Sequence, residues 1–357
     1  MGEQTKIEWC DHTFNPWRGC SKVHTGCANC YAEKGAKRNP SVLGLWGANG
    51  TRVVAAEKTW GEPAKWDRCA VLRCNECGNE YKTEPAPKGC EPVSHSWDFE
   101  CVCGCNRHTA HRPRVFCASL ADVFEDWKGP VRDHLGNVLS DDGDPAGNAD
   151  MHNGDLMTMD DLRRRLFALI DATPNLEWLL VTKRPENVRR MWPGLIDPAP
   201  SNSPEWPGKL KHRPNVWLLT SVSDQQTYDS AAPHLWRCRD LVPVLGFSAE
   251  PLLGPIKIHH EHDGQLVRNW AGCWDWIIVG GESGHDARPC DLSWVRSIVG
   301  QCRDAGVSCF VKQLGALPVG GRMTPQEWRL RDPKGGDWNE WPSDLRVREW
   351  PTTWVAN

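Results

Sequence analysis

Residues 274–284 read WDWIIVGGESG, an apolar run of strand length that ends in paired glycines and an acid. Ile277, Ile278 and Val279 have no polar residue among them, so both faces of such a strand are buried, as in a parallel sheet. The same design recurs along the chain: RPRVFCASL at 112–120, LEWLLVTKRP at 176–185, NVWLLTSVS at 215–223, VPVLGFSAEPL at 242–252 and GVSCFVKQLG at 306–315. Helical patterns separate several of these runs. MDDLRRRLFALIDAT, 159–173, places Leu162, Leu166, Leu169 and Ile170 on one face and opens with acids. DLSWVRSIVGQCRDAG, 291–306, does the same with Leu292, Val295, Ile298, Val299 and Cys302, and stops at Gly306. With KIEW, 6–9, as a first strand, the plan is a repeating β-α unit. It predicts an α/β fold, a TIM-type (β/α) barrel, full or partial. An open doubly wound sheet is the alternative.

The strand ends carry the chemistry. Ser119 and Asp122, Thr182 to Arg184, Thr220 to Asp224, Ser248 to Glu250, Gly280 to Ser283, and Lys312 with Gln313 all follow apolar runs. In a barrel these ends meet at one mouth, where active sites form. Glu250 and Lys312 are the candidates for substrate contact or proton transfer. Lys183 and Arg184 suit a carboxylate or phosphate. Gly280 and Gly281 allow close backbone approach, and Glu282 can accept from an amine or a ribose hydroxyl.

The 357 residues hold 42 Lys and Arg against 46 Asp and Glu, a net charge of −4. No global basic field drives non-specific nucleic-acid binding. The absence of a signal-like start and of a long apolar run predicts a cytoplasmic protein without membrane contact. In that compartment 17 cysteines point to metal or catalysis rather than disulfides. The 21 tryptophans are read first as core packing, and otherwise as stacking platforms for bases.

Residues 19–33, GCSKVHTGCANCYAE, place Cys20, Cys27 and Cys30 on one loop after the first strand, spaced C-x6-C-x2-C, with Tyr31 next. A [4Fe–4S] cluster held by three thiolates keeps one iron open for a small molecule. That arrangement is the one used by radical S-adenosylmethionine enzymes, whose usual first gap is three residues rather than six. A three-cysteine zinc site completed by His24 or His12 is the competing reading. Asn15 and Trp17 flank the loop, and Glu33 is placed to cap the helix expected after Cys30.

A second cysteine group lies between 69 and 111. CNECG, 74–78, is half of a zinc knuckle, and CVCGC, 101–105, supplies the other half. A zinc ribbon from Cys74 and Cys77 with two of Cys101, Cys103 and Cys105 is expected, Cys101 and Cys103 being the pair chosen. Cys90, His95, His108 and His111 are spare donors. LGNVLSDDGDPAGNADMHNGD, 135–155, is polar and turn-rich and is expected to be a mobile loop. The organisation expected is 1–68 as the first part of the barrel with the cluster loop, 69–111 as the zinc insertion, 112–324 as the remaining barrel with a flexible 131–158, and 325–357 as a C-terminal extension.

Several stretches together resemble the phage three-Cys-motif family, radical-SAM-like proteins of largely unassigned function from phages and prophages. They are IEWCDHTFNPWRGCSKVHTGCANCYAE (7–33), RPRVFCASLADVFED (112–126), TPNLEWLLVTKRPENVRRM (173–191), SAEPLLGPI (248–256), DWIIVGGESGHDARPCDLSWVRSI (275–298) and GVSCFVKQLG (306–315). The resemblance implies a barrel, a [4Fe–4S] cluster on Cys20, Cys27 and Cys30, and a pocket lined from strand ends. S-adenosylmethionine would be held among Tyr31, Ser119, Lys183, Arg184, Gly280, Gly281 and Glu282. The resemblance does not fix the activity. The radical-SAM reading gives a deoxyadenosyl radical that abstracts a substrate hydrogen, with flavodoxin or ferredoxin as reductant. The phage context, the zinc insertion and the tryptophans point to a nucleic-acid base, a nucleotide or a related metabolite, while the family's neighbours suggest a dedicated partner protein. This chain departs from the family at Cys10, where Thr is usual, at Ser223–Asp224, where Glu-Asn is usual, and at 69–111 and 131–158, which read as insertions. The alternative is a non-catalytic metal-containing module that binds nucleic acid or protein.

Overall fold

The computed structural model describes residues 5, 7–67, 71–74, 80–82, 104, 108–140, 156–197, 209–258, 260–262, 265–268, 273–320 and 330–351, with backbone alone for 71–74, 80–82, 108–111, 196–197, 260–262 and 265–268. Seven strands form the main sheet: β1 His12–Phe14, β2 Arg114–Cys117, β3 Glu177–Thr182, β4 Val216–Val222, β5 Val244–Ala249, β6 Trp276–Gly280 and β7 Ser308–Gln313. All neighbours are parallel. Their spatial order is their chain order. A doubly wound sheet reverses strand order at a switch point, whereas a barrel does not. The fold is therefore α/β with a curled parallel sheet, a half-barrel.

Two cores explain why the strands are apolar on both faces. In β4, Val216, Leu218 and Val222 join the larger core, while Trp217 and Leu219 join a smaller inner one. β6 splits the same way, Ile277 and Val279 against Trp276 and Ile278. The larger core is completed by helices: α2 Met159–Asp171 with buried Leu162, Leu166 and Ile170, α4 Gln225–Trp236 with Tyr228 and Leu235, and α5 Leu292–Ala305 with Leu292, Val295, Ile298 and Cys302. α1 Tyr31–Arg38 and α3 Pro185–Met191 are shorter. The inner core is an aromatic plug. Trp276 meets Trp217 at 5.5 Å, and Trp9 and Phe310 at 6.2 Å each, near edge-on throughout. The described tryptophans thus serve mainly as core.

Three expectations change. KIEW is not a strand: Glu8 and Trp9 lie in a turn, and the first strand is His12–Phe14. The buried Trp9 is needed as plug rather than as sheet. The cysteine loop still follows the first strand. Secondly, 131–158 is ordered in part. Val131–Arg132 pairs with Arg52–Val53, and Val131 and Leu139 are buried; residues 141–155 lie outside the described ones. Thirdly, the described part of the C-terminal extension, 330–351, packs against the barrel. The Val311 amide donates to the Val347 carbonyl at 2.8 Å, Glu349 N to Cys309 O at 2.8 Å, and Trp350 packs on Phe310 at 5.0 Å. These contacts cover the β7 edge that an open sheet would expose.

Within 69–111 the backbone forms three antiparallel strands, Val71–Cys74, Glu80–Lys82 and His108–His111, with Cys74 opposite His108. Cys77, Cys101 and Cys103 lie outside the described residues, as do Cys69, Cys90, Cys105 and His95. No helix among the described residues is long and apolar enough to cross a membrane.

Candidate active site

The three-cysteine loop lies over the C-terminal ends of the strands and is tied to them from two sides. After β1, Asn15 takes the Leu120 amide at 2.7 Å and exchanges hydrogen bonds with Ser119 at 3.0 and 3.2 Å. Trp17 is fully buried beneath. Cys20 then meets a buried charge network. Arg52, which is 0% exposed, donates to Glu125 through Nε at 2.6 Å and Nη2 at 2.7 Å. Glu125 also accepts from the Ser21 amide at 2.9 Å and from its hydroxyl. Arg184 reaches Asp122 at 2.9 Å, the Ser21 carbonyl at 2.8 Å, Glu125 at 3.3 Å and the Cys20 sulfur at 3.5 Å. Burial, then Asp122, pushes the Cys20 thiol up to about 12, with Arg184 working against them.

Cys27 closes a 3-10 turn, Thr25–Cys27, and Cys30 stands at the N-terminus of α1 without a side-chain cap. Glu33 lies in the first turn of α1 but pairs with Lys22 at 2.8 Å and Lys37 at 3.0 Å instead of capping. This half of the loop is latched to the segment after β6. Glu282 is gripped by Arg288 through Nη2 at 2.6 Å and Nε at 2.9 Å, and by Asn29 at 3.0 Å. Arg288 also donates to the Thr25 carbonyl at 2.9 Å, and Lys34 pairs with Asp286 at 3.0 Å. Burial alone would raise Glu282, but Arg288 and Asn29 outweigh it and hold the carboxyl below the usual range.

Tyr31 spans the mouth. Its hydroxyl donates to the Ser119 carbonyl at 2.5 Å, and its proton is held above the ordinary phenol range by burial, then by Cys30, with Glu250 contributing. Yet the residue is 62% exposed. Beyond the end of β5, Glu250 pairs with Lys312 of β7 at 3.1 Å, and its second oxygen is buried with no hydrogen-bond partner among the described residues. Ser248 lies 3.5 Å from the first oxygen.

The two glycines have reasons internal to the protein. A Cβ on Gly280 would stand 2.7 Å from Glu250 Oε1, and one on Gly281 would stand 2.3 Å from the Leu314 carbonyl. Of the sequence candidates, Cys20, Arg184, Ser119, Tyr31, Glu250, Lys312, Gly280, Gly281 and Glu282 thus surround one mouth. Arg184 and Glu282 are already committed to protein partners. Lys183 donates its amide to Asp122 at 3.0 Å, and its ammonium lies near His24. Asp224 caps α4 by accepting from the Thr227 amide at 2.9 Å, and Ser223 is buried, so the Ser-Asp pair has structural work. Sequence reading missed Arg52, Glu125, Asn29 and Arg288. Arg52 heading the apolar RVVAA, and Asp122 with Glu125 three residues apart, were the available signals.

The family model described as Protein of unknown function (DUF5131) matches residues 4–135 and 146–342, which span the whole mouth. The chain belongs to this family. No curated protein matches the chain, and no solved structure does.

His24 gives the loop a pH response. Its Nδ1 accepts from the Gly26 amide at 3.0 Å, and burial followed by the Lys183 ammonium pushes its pKa from 6.5 down to about 4. An opened loop takes up a proton below 6.5, the closed one only below about 4. Loop stability is therefore full above that upper value and is lost as pH falls toward the lower. Hydrogen exchange of the metal-free chain, corrected for intrinsic rates, should show weaker protection of 21–28 at pH ~5 than at pH ~7. The difference should vanish in His24→Asn.

Proposed function

We propose that this protein is a radical-SAM-type iron–sulfur enzyme working at the mouth of the half-barrel. The observation that carries the reading is the three-thiol loop directly after β1, tied to the ends of β2, β3 and β6 beside the Glu250–Lys312 pair. The donor set fits in kind: three thiols on one loop, one of them at a helix N-terminus that favours an anionic ligand. Among the described residues no three metal-ligating side chains stand converged, so binding requires Cys27 and Cys30 to turn toward Cys20, which stays on Arg184. Cys20, Cys27 and Cys30 would hold a [4Fe–4S] cluster, and S-adenosylmethionine would lie among Tyr31, Ser119, Lys183, Gly280, Gly281 and Glu282. When bound, the pair supplies reductive cleavage of the sulfonium and hydrogen-atom abstraction from substrate.

This chain's own residues do the rest. The aromatic plug of Trp217, Trp276 and Phe310 excludes water below the reacting atoms. Lys312 and Glu250 position substrate and hold a proton between them. Lys183, which pairs with no carboxylate among the described residues, suits a phosphate-bearing substrate such as a nucleotide or a nucleic acid, and a flavodoxin or ferredoxin donates the electron. A zinc ribbon in 69–111, built on Cys74, Cys77, Cys101 and Cys103, is the companion proposal.

Anaerobic reconstitution with iron and sulfide, then dithionite and S-adenosylmethionine, should yield deoxyadenosine by chromatography. Lys312→Met should retain the iron and lower turnover of substrate by 10²-fold or more. Metal without deoxyadenosine would reassign the chain to a metal-containing binding module.

A further inference from the structure

We infer that Arg184 is a positioning residue for Cys20, an N–H···S donor that sets this sulfur apart from those of Cys27 and Cys30. The inference rests on the reading of the three cysteines as cluster ligands. Three observations carry it. Arg184 is 5% exposed, and its Nη1 lies 3.5 Å from the Cys20 sulfur and 2.9 Å from Asp122. Its Nη2 lies 2.8 Å from the Ser21 carbonyl and 3.3 Å from Glu125. Arg52 fixes Glu125 from the far side, and Glu125 takes the Ser21 amide. The backbone after Cys20 is thus held through both its N–H and its C=O, and the sulfur is held by the same cation. Asp122 is itself fixed by the Thr182 hydroxyl at 2.7 Å and the Lys183 amide at 3.0 Å, so β3 dictates where the guanidinium points.

Among the described residues the Cys27 half of the loop has no such donor: its anchors are the Arg288, Asn29 and Lys34 contacts, which reach backbone and carboxylates rather than sulfur. A cation donating to one cluster thiolate favours the more negative, reduced state, and hydrogen bonds to sulfur are among the terms that set cluster potentials. Arg184 therefore positions Cys20 and, working against the neighbouring Asp122 and Glu125 carboxylates, makes the cluster easier to reduce.

Arg184→Lys keeps the charge beside Asp122 and gives up the forked donors. Two measurements decide. In the metal-free chain, hydrogen exchange of residues 18–26 should accelerate several-fold while α1 and β4 are unchanged; unchanged exchange at 18–26 overturns the positioning role. In the reconstituted protein, at equal iron content, the potential by redox titration should fall; an equal or higher potential overturns the tuning role. Asp122→Asn removes a negative charge from the same sulfur and should shift the potential the opposite way, which separates electrostatics from loosened structure and serves if Arg184→Lys does not fold. If the wild type takes up no cluster, the iron–sulfur reading fails, and the exchange experiment still decides the Arg184 clamp.

Discussion

Anaerobically purified Cys27→Ala should be colourless and nearly iron-free, where the wild type should be brown and carry about four irons. Cys27 is 8% exposed and its amide donates to the His24 carbonyl at 2.9 Å, a backbone contact that alanine keeps. The substitution removes one sulfur and little else. With two thiols remaining on the loop, the cluster lacks a corner ligand and is lost. Cys117→Ala is the matched control. Cys117 is fully buried in the outer core on β2, so iron should stay while stability falls modestly. Metal analysis with visible absorbance reads both variants. Retention of iron by Cys27→Ala, or zinc occupying the three cysteines of the wild type, would refute the cluster.

Arg52→Leu should cost about 3–5 kcal/mol. The side chain is fully buried, makes a two-pronged pair with Glu125, donates to the Thr51 carbonyl at 3.0 Å, and lies 4.0 Å over the ring of Trp127. Its removal strands Glu125, which is 3% exposed and keeps only Ser21 and the more distant Arg184. A buried carboxylate left with only the more distant Arg184 as its cation, more than the lost contacts, dominates the cost. Urea unfolding followed by tryptophan fluorescence measures it. Arg52→Leu combined with Glu125→Leu should be less destabilised than the sum of the single changes, because the second change removes the stranded charge. A loss below about 1 kcal/mol for Arg52→Leu would mean that the pair contributes no more than an exposed one.

How much of this could be read from the chain follows from the range of the forces involved. The six apolar runs from β2 to β7 were legible because burial on both faces demands continuous apolar sequence, and each run holds that demand within itself. The short β1 was not, since three residues, HTF, carry too little pattern, and the more apolar Ile7–Trp9 beside it competes. Trp9 is apolar because it plugs the half-barrel, and periodicity does not distinguish plug from strand.

The site divides in the same way. Chain alone determined that three thiols share a loop after the first strand with Tyr31 directly behind the last of them, and that Lys183, Glu250, Glu282 and Lys312 stand at strand ends. Tertiary structure decided what those groups touch. Glu282 meets Asn29 across 253 residues of chain, Arg184 meets Cys20 across 164, and Arg52 meets Glu125 across 73. A lone arginine or glutamate in sequence looks like a solvated charge. Only the strand order that brings the ends of β2 and β3 against the β1 loop places these charges out of water, where an ion must find a partner. Hydrophobic pattern is local and survives in the sequence, whereas the pairing of buried charges is a property of the assembled sheet.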